Sequence, residues 1–475
     1  MKFGTSGLRG LSVDLEGPVS ATYAAAFGRF LLESGRAAPG AEILIGRDFR
    51  PSSPAISSNC TQALSQLGFR VVDCGELPTP ALALYGLERG AASLMVTGSH
   101  IPADRNGIKF YRPDGEIDKR DEEAISALAA AGSDLGDASG AAADRSTECL
   151  AIFRERNVTL LPQGALAGLR VGVYQHSTVA RDLLVDVLRF YGAEVLPLGR
   201  SETFIPVDTE AVSAATVEAL QAWSSEFRLD AIVSADGDGD RPLVADEAGN
   251  PLRGDLLGLI VANFLGARVL VTPVTSNSGI ENAGSFEVTR TRVGSPYVIA
   301  GMQEALAAGK DGVMGFEANG GVLTGSDFRV NGKVLRPLPT RDCFLPILAV
   351  LALRGERQKP MSEIAATFAL PVAAADRLEN FPTETSAALM AYLRSGRENL
   401  DAFLAPIGKV ESFSDIDGLR VALAGGRTIH FRPSGNAPEM RCYVEAETAS
   451  AADDLLRAGL DRIRQWAGEH APVAS

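Results

Sequence analysis

The chain has 475 residues, 46% of them hydrophobic, and a formal net charge of −14 at pH 7. That length is about three times a typical domain, so several separately packed cores are expected. The acidic balance excludes nucleic acid as a partner, because such binding rests on clustered Lys and Arg that neutralise phosphates.

In chain order, a β-rich run leads three times through a Ser/Thr turn and an amphipathic stretch to a return strand: 41–45 to 71–73, 169–173 to 195–197, and 268–271 to 288–290. Alternation at this spacing predicts βαβ units. Within the second repeat, Leu183, Leu184, Val187 and Leu188 follow one face of a helix predicted over 179–190. Residues 133–147 are rich in Gly, Ala, Ser and Asp and read as a boundary. After about residue 370 the pattern changes to a hairpin and a closing helix over 451–466. The expected architecture is α/β with four domains, 1–148, 149–252, 253–370 and 371–475: three related mixed α/β units around a central cleft, and a smaller α+β C-terminal domain.

No apolar run reaches a membrane span without interruption; the best candidate, 256–274, contains Asn263, Arg268 and Pro273. The first residues lack the apolar core of a signal peptide, so a cytoplasmic location is expected. Cys60, Cys74, Cys149, Cys343 and Cys442 are dispersed and odd in number, which argues against a disulfide framework or a zinc site. Four scattered histidines argue against a His-rich metal centre.

Four segments carry chemistry. Ser99 follows an apolar strand in a loop punctuated by Gly98, Pro102 and Asn106-Gly107, ten residues before Lys109. Gly98 allows close approach to a bulky anion, and the loop is expected to expose the serine at a fixed position, as a phosphoryl carrier requires; a plain Gly-rich turn is the alternative. Asp236, Asp238 and Asp240, with glycines between them, follow a buried strand, and their oxygens can face one hard cation. An EF-hand reading fails because Arg241 occupies the position that needs glycine and the flanks are strands.

Glu317 and Asn319 follow a third apolar strand, at alternate positions of what reads as an extended segment, and can reach the same sugar hydroxyls; a Gly-rich β-turn is the alternative. Arg432, Ser434, Gly435, Asn436 and Arg441 belong to a strand, small-residue loop and strand whose backbone N–H groups and guanidinium suit a phosphate. An ordinary hairpin turn is again the alternative. Thr291 to Gly294 reads as a hinge or specificity loop, or equally as a plain strand end.

The order Phe-Gly-Thr-Ser-Gly-Leu-Arg-Gly at 3–10, Thr-Gly-Ser-His at 97–100, Asp-Gly-Asp-Gly-Asp-Arg at 236–241, Glu-Ala-Asn-Gly at 317–320 and Arg-Pro-Ser-Gly-Asn at 432–436 resembles the α-D-phosphohexomutases over essentially the whole chain. The resemblance implies an enzyme that moves a phosphoryl group between O1 and O6 of a hexose phosphate through a phosphoserine and a 1,6-bisphosphate. It implies that Ser99 carries the phosphoryl, that Asp236, Asp238 and Asp240 hold one Mg²⁺ together with an oxygen on Ser99, and that Lys109 transfers protons. His100 is grouped with the catalytic residues, while Arg9 and Arg241 steady the phosphoryl group and the metal loop. Glu317 and Asn319 would bind the sugar 3- and 4-hydroxyls, with Thr291 and Gly294 beside them, and Arg432, Ser434, Gly435, Asn436 and Arg441 would grip the substrate phosphate. A hexose 1,6-bisphosphate activator, small-molecule hexose phosphates as the only partners, and a monomer or homodimer follow from the same likeness.

Gly98 and Ile101 depart from the common Thr-Ala-Ser-His-Asn-Pro, and Gly321 stands where many relatives have histidine, which shifts weight to Lys109. The Glu-Ala-Asn-Gly variant resembles members that act on mannose phosphates, a phosphomannomutase activity, more than those that act on glucosamine phosphates. Glucose phosphates come second, because a loop that reads the 3- and 4-hydroxyls does not sense the C2 epimer. A regulator that binds sugar phosphates without turnover is the alternative of a different class.

Overall fold

The structure, a computed structural model, describes residues 2–3, 7–132, 141–434 and 438–470. The chain divides into two compact units: Met1–Val271 with Gly294–Phe368, and Thr272–Val293 with Ala369–Ser475.

One plan recurs in three sheets of the first unit. Strand Ala92–Val96 lies parallel to Glu42–Arg47, and the chain returns antiparallel on Arg105–Arg112. Ala231–Ala235 lies parallel to Arg170–His176, with Pro242–Ala245 returning antiparallel. Val313–Phe316 lies parallel to Val269–Pro273, with Val322–Thr324 returning. Each motif loop of this unit therefore sits where the chain turns from a parallel strand into an antiparallel one, at a carboxyl strand end where α/β sheets present ligand-binding loops. The strands that carry the loops are buried along their whole length, as expected where helices cover the sheet faces.

Helix Arg181–Phe190 begins two residues later than the apolar periodicity suggests and buries Leu184, Val185, Val187 and Leu188. The third repeat departs from expectation, because no amphipathic helix forms between Val269–Pro273 and Glu287–Thr291. The intervening chain makes only a short 3₁₀ turn, Ser278–Asn282, with Ile280 its buried residue. Local polar side chains explain this: Asn277 Oδ1 accepts from the Gly279 amide at 2.8 Å, and such bonds compete with helical ones.

The second unit contains an antiparallel sheet in the order Val372–Leu378, Met440–Ala446, Arg427–Pro433, Leu419–Leu423, Val410–Ser414. Helices Thr383–Arg394, Arg397–Leu404 and Ala449–His470 pack on it around Leu389, Phe403, Phe431, Ile463 and Trp466. The closing helix extends past both ends of the expected 451–466. Among the described residues no helix is long and apolar enough to cross a membrane, and all five cysteines are unbridged and buried.

His430 lies in the core of the second unit, where its Nε2 donates to Asp417 O at 2.6 Å, and burial pushes its pKa from 6.5 down to about 4. The neutral form is the one that folds. Its contribution is therefore complete above pH 6.5 and is lost as pH falls from 6.5 towards 4, by up to about 3 kcal/mol, because only the unfolded chain takes up the proton. Thermal melts at pH 7.5 and 5 are expected to show a larger drop for the natural chain than for His430→Gln; equal drops would assign the acid sensitivity to other groups.

Candidate active site

Ser99 lies just past strand Ala92–Val96 in the left-handed region, at φ 54°, and is buried at 1% exposure rather than exposed as its loop composition suggests. Its amide donates to Thr97 Oγ1 at 2.8 Å, and Thr97 Oγ1 donates to Asp48 Oδ2 at 2.8 Å. The loop is held from beneath by Arg50, which is itself buried. Arg50 donates to the carbonyls of Ser99 at 3.0 Å, Ile101 at 2.6 Å, Pro102 at 2.7 Å and Arg105 at 2.9 Å, and its Nε to Asp48 at 3.2 Å. Gly98 is required by this fork, since a Cβ there would stand 2.6 Å from Arg50 Cζ. Neither Asp48 nor Arg50 carries a sequence signal that separates it from an ordinary turn.

Ser99 Oγ donates to Asp236 Oδ2 at 2.5 Å and lies 3.3 Å from His100 Nδ1. Asp236, Asp238 and Asp240 are buried in the turn between Ala231–Ala235 and Pro242–Ala245, with ligand oxygens within 4.8 Å of one another. Lys109, on Arg105–Arg112, is buried at 6% exposure and donates to Asp238 Oδ2 at 2.6 Å and Asp240 Oδ2 at 2.5 Å. Thr79 Oγ1 adds a second donor to Asp238 Oδ2 at 2.6 Å. Oδ1 of Asp238 and Oδ1 of Asp240 are buried with no hydrogen-bond partner among the described residues. Three converging carboxylates with two such oxygens fit a hard divalent cation.

The charges sort themselves by burial and neighbours. Desolvation, then the charges of Asp238 and Asp240, pushes the Asp236 carboxyl well up. Desolvation also opposes ionisation of Asp240, but Arg341, Lys109 and Arg241 overcome it and hold that carboxyl far below the usual range. Burial alone would lower the Lys109 ammonium; Asp238 and Asp240 reverse this and keep it charged. Burial and then Arg241 push His100 down to about 3, so its imidazole is neutral, with Nδ1 3.0 Å from Arg241 Nη1. Arg9, on Leu8–Leu11 opposite Gly107, is lowered to about 10 by burial, then by Arg241 and Arg341. Residues 4–6 of its motif lie outside the described residues.

Glu317 and Asn319 lie in a turn after Val313–Phe316, not on an extended segment. The reason is local: Asn319 Oδ1 accepts from the Gly321 amide at 3.0 Å and the Gly320 amide donates to Glu317 O at 2.9 Å, which closes the turn. Both side chains are buried, and Glu317 Oε2 accepts from Arg341 Nη1 at 2.7 Å. Arg341, in Leu338–Asp342, also donates from Nη2 to Asp240 Oδ2 at 2.8 Å. Sequence reading missed Arg341 because nothing in its strand marks it. Gly294 stands at φ 128° before helix Ser295–Ala307.

In the second unit, Arg432 and Arg441 face each other across the hairpin, and Arg377, also missed from sequence, faces Arg441 from the other side. Three arginines in one row repel unless anions intervene. Part of that charge is met by Asp417 at 3.0 Å from Arg432 and Glu439 at 3.4 Å from Arg441. The Ser434 amide donates to Glu439 O at 2.9 Å, while Gly435 and Asn436 lie outside the described residues. Thr291 ends strand Glu287–Thr291, its Oγ1 donating to Arg292 O at 2.8 Å.

A buried serine bonded to one of three clustered aspartates, with fixed cations around them, is the equipment of a phosphoryl-transfer enzyme. Residues 1–135 match the phosphoglucomutase/phosphomannomutase alpha/beta/alpha domain I, residues 253–370 its alpha/beta/alpha domain III and residues 373–460 its C-terminal domain. A phosphomannomutase of Sinorhizobium fredii is 59% identical over 463 residues, 97% of this chain and 98% of that protein. One of Salmonella muenchen is 40% identical over 478 residues, 98% and 96% of the two chains. The crystal structure of a phosphoglucomutase/phosphomannomutase family protein from Burkholderia thailandensis shares the fold at a TM-score of 0.75 and 20% identity, covering 99% of this chain and 98% of that one. The chain belongs to the phosphoglucomutase/phosphomannomutase family. It is accordingly a phosphohexomutase, an isomerase of hexose phosphates, in a family that uses a metal ion.

Replacing Arg50 by Lys keeps the charge but cannot serve four carbonyls at once. The expected result is a fall in kcat of about 10²-fold with the serine loop displaced, since small misplacements of a reacting group cost that much, together with a lower melting temperature. Unchanged kcat in Arg50→Lys and in Gly98→Ala would remove Arg50 from the positioning of Ser99.

Proposed function

We propose that the enzyme interconverts mannose 6-phosphate and mannose 1-phosphate through a phosphoserine at Ser99 and a bound mannose 1,6-bisphosphate. The observation that carries this reading is the 2.5 Å hydrogen bond from Ser99 Oγ to Asp236, beside a Lys109 ammonium shared by Asp238 and Asp240. The names of the two relatives support mannose phosphates over glucose or glucosamine phosphates.

In the forward half-reaction a sugar hydroxyl attacks the phosphoryl on Ser99; the bond from phosphorus to Oγ breaks, one to the sugar oxygen forms, and the serine oxygen recovers the proton that the hydroxyl loses. Lys109 is the proton donor toward that oxygen, because its neighbours keep it charged and within the carboxylate cluster. The bisphosphate then turns about in the site and returns its other phosphoryl to Ser99. Arg9 and Arg241 neutralise the equatorial oxygens during transfer, Glu317 and Asn319 bind the ring hydroxyls, and the arginine row at Arg432 and Arg441 takes the phosphate that is not reacting.

Magnesium is the proposed metal, held by Asp236, Asp238 and Asp240, whose oxygens converge and include two without partners. When bound, it would neutralise charge on the phosphoryl oxygens. A hexose 1,6-bisphosphate is the proposed activator, because Ser99 must be phosphorylated before the first turnover. The reduced, buried cysteines fit the cytoplasmic location expected from the sequence.

A coupled assay with mannose 1-phosphate, glucose 1-phosphate and glucosamine 1-phosphate, with Mg²⁺ and trace glucose 1,6-bisphosphate, is expected to give the fastest turnover on mannose, abolished in Ser99→Ala. Absence of turnover on every sugar by the natural chain would refute the reading and leave a sugar-phosphate-binding regulator. Chelation is expected to abolish activity without unfolding, with recovery on adding Mg²⁺ but little on Ca²⁺, whose larger shell suits the cluster poorly; full recovery on Ca²⁺ would contradict the assigned metal.

A further inference from the structure

Arg341 reaches the turn that carries the aspartates and the turn that carries Glu317 at the same time, and it does so by an unusual route. Strand Leu338–Asp342 pairs with Val322–Thr324 across a register slip, from Val322 opposite Asp342 to Thr324 opposite Leu338, so residues 339–341 stand against Leu323 alone. A bulge of this kind re-aims side chains. The methylenes of Arg341 then run over the backbone of Gly321, where a Cβ would lie 2.7 Å from Cδ, 2.8 Å from Cγ and 2.9 Å from Cβ of the arginine. At the end of that path, Nε and Nη2 donate to Asp240 Oδ2 at 3.1 and 2.8 Å, and Nη1 donates to Glu317 Oε2 at 2.7 Å. Arg341 is 3% exposed and Glu317 4% exposed.

We infer that Arg341 is a positioning residue for sugar recognition: it occupies one oxygen of Glu317, turns the other toward the hexose hydroxyls, and ties that carboxylate to Asp240, so the sugar loop and the aspartate loop keep one geometry. Only a planar fork does this. An ammonium at the same place is a point charge that can satisfy one carboxylate but not hold both in register. Gly321 belongs to the same device, because any side chain there displaces the arginine. Without the fork, Glu317 is a buried carboxylate with no other side-chain hydrogen bond among the described residues, and an unpaired buried charge is costly.

The inference rests on the sugar-phosphate reading of this site, and the experiment separates the two. In a Ser99→Ala parent, which binds without turning over, affinity for mannose 6-phosphate in the presence of Mg²⁺ is measured by calorimetry for Arg341→Met, Arg341→Lys, Gly321→Ala, Glu317→Gln and the Arg341→Met/Glu317→Gln pair, with a melting temperature for each. Arg341→Met, Arg341→Lys and Gly321→Ala are each expected to weaken binding about 10-fold or more, as for a lost charge-assisted hydrogen bond. Arg341→Lys tests the point where Arg341→Met fails to fold. The double variant is expected to bind no worse than about its weaker single parent, because Arg341 acts through Glu317. Losses that multiply in the double variant, or binding within twofold of the parent in both Arg341→Lys and Gly321→Ala, would overturn the inference while leaving the function standing. A parent that binds no hexose phosphate would remove the function and the inference together.

Discussion

Asp236, Asp238 and Asp240 are packed side by side in the protein interior, and carboxylates crowded in that volume stay charged only where cations close around them. Lys109, Arg341 and Arg241 each come from a different strand or loop, so the aspartate turn acts as the point on which the first unit's three sheets are brought to agree. Burial and the surrounding charges together set the electrostatic order of the site. Burial, then Asp238 and Asp240, pushes the carboxyl bonded to Ser99 up, while Asp240, the most surrounded by cations, is held down, which leaves unequal carboxylates within one turn.

A second constraint is the rigidity of the serine loop. Ser99 occupies a backbone region that non-glycine residues seldom adopt, and such a conformation survives only where the surroundings over-determine it. Here the Arg50 fork grips four carbonyls of the loop and Asp48 is the acceptor beneath it. Phosphoryl transfer asks little covalent work of a protein beyond positioning and charge neutralisation, and a loop held this firmly meets the first of those requirements. In the second unit a row of three arginines concentrates positive charge in a chain that is acidic overall.

Much of this was legible along the chain. The serine loop, the aspartate turn and the hairpin with Arg432 are each contiguous, so they stand out along the chain by residue type and spacing without knowledge of the fold. Local chemistry also accounts for two misreadings: the Asn277 side chain turns the segment that was expected to be helical, and Asn319 closes into a turn what read as an extended strand. Burial was the other error. Ser99 lies in a polar, glycine-rich loop that looks exposed, yet it is enclosed once the aspartate turn packs against it.

The sequence by itself determined the α/β pattern and the set of converging carboxylates, because each depends on residues within a few positions of one another. Tertiary structure alone decided which groups compensate them. Ser99 meets Asp236 across 137 positions, Lys109 meets Asp238 across 129 and Arg341 meets Asp240 across 101. No local periodicity carries such pairings; they arise when separate strands pack and a buried charge must find its partner or remain unpaid.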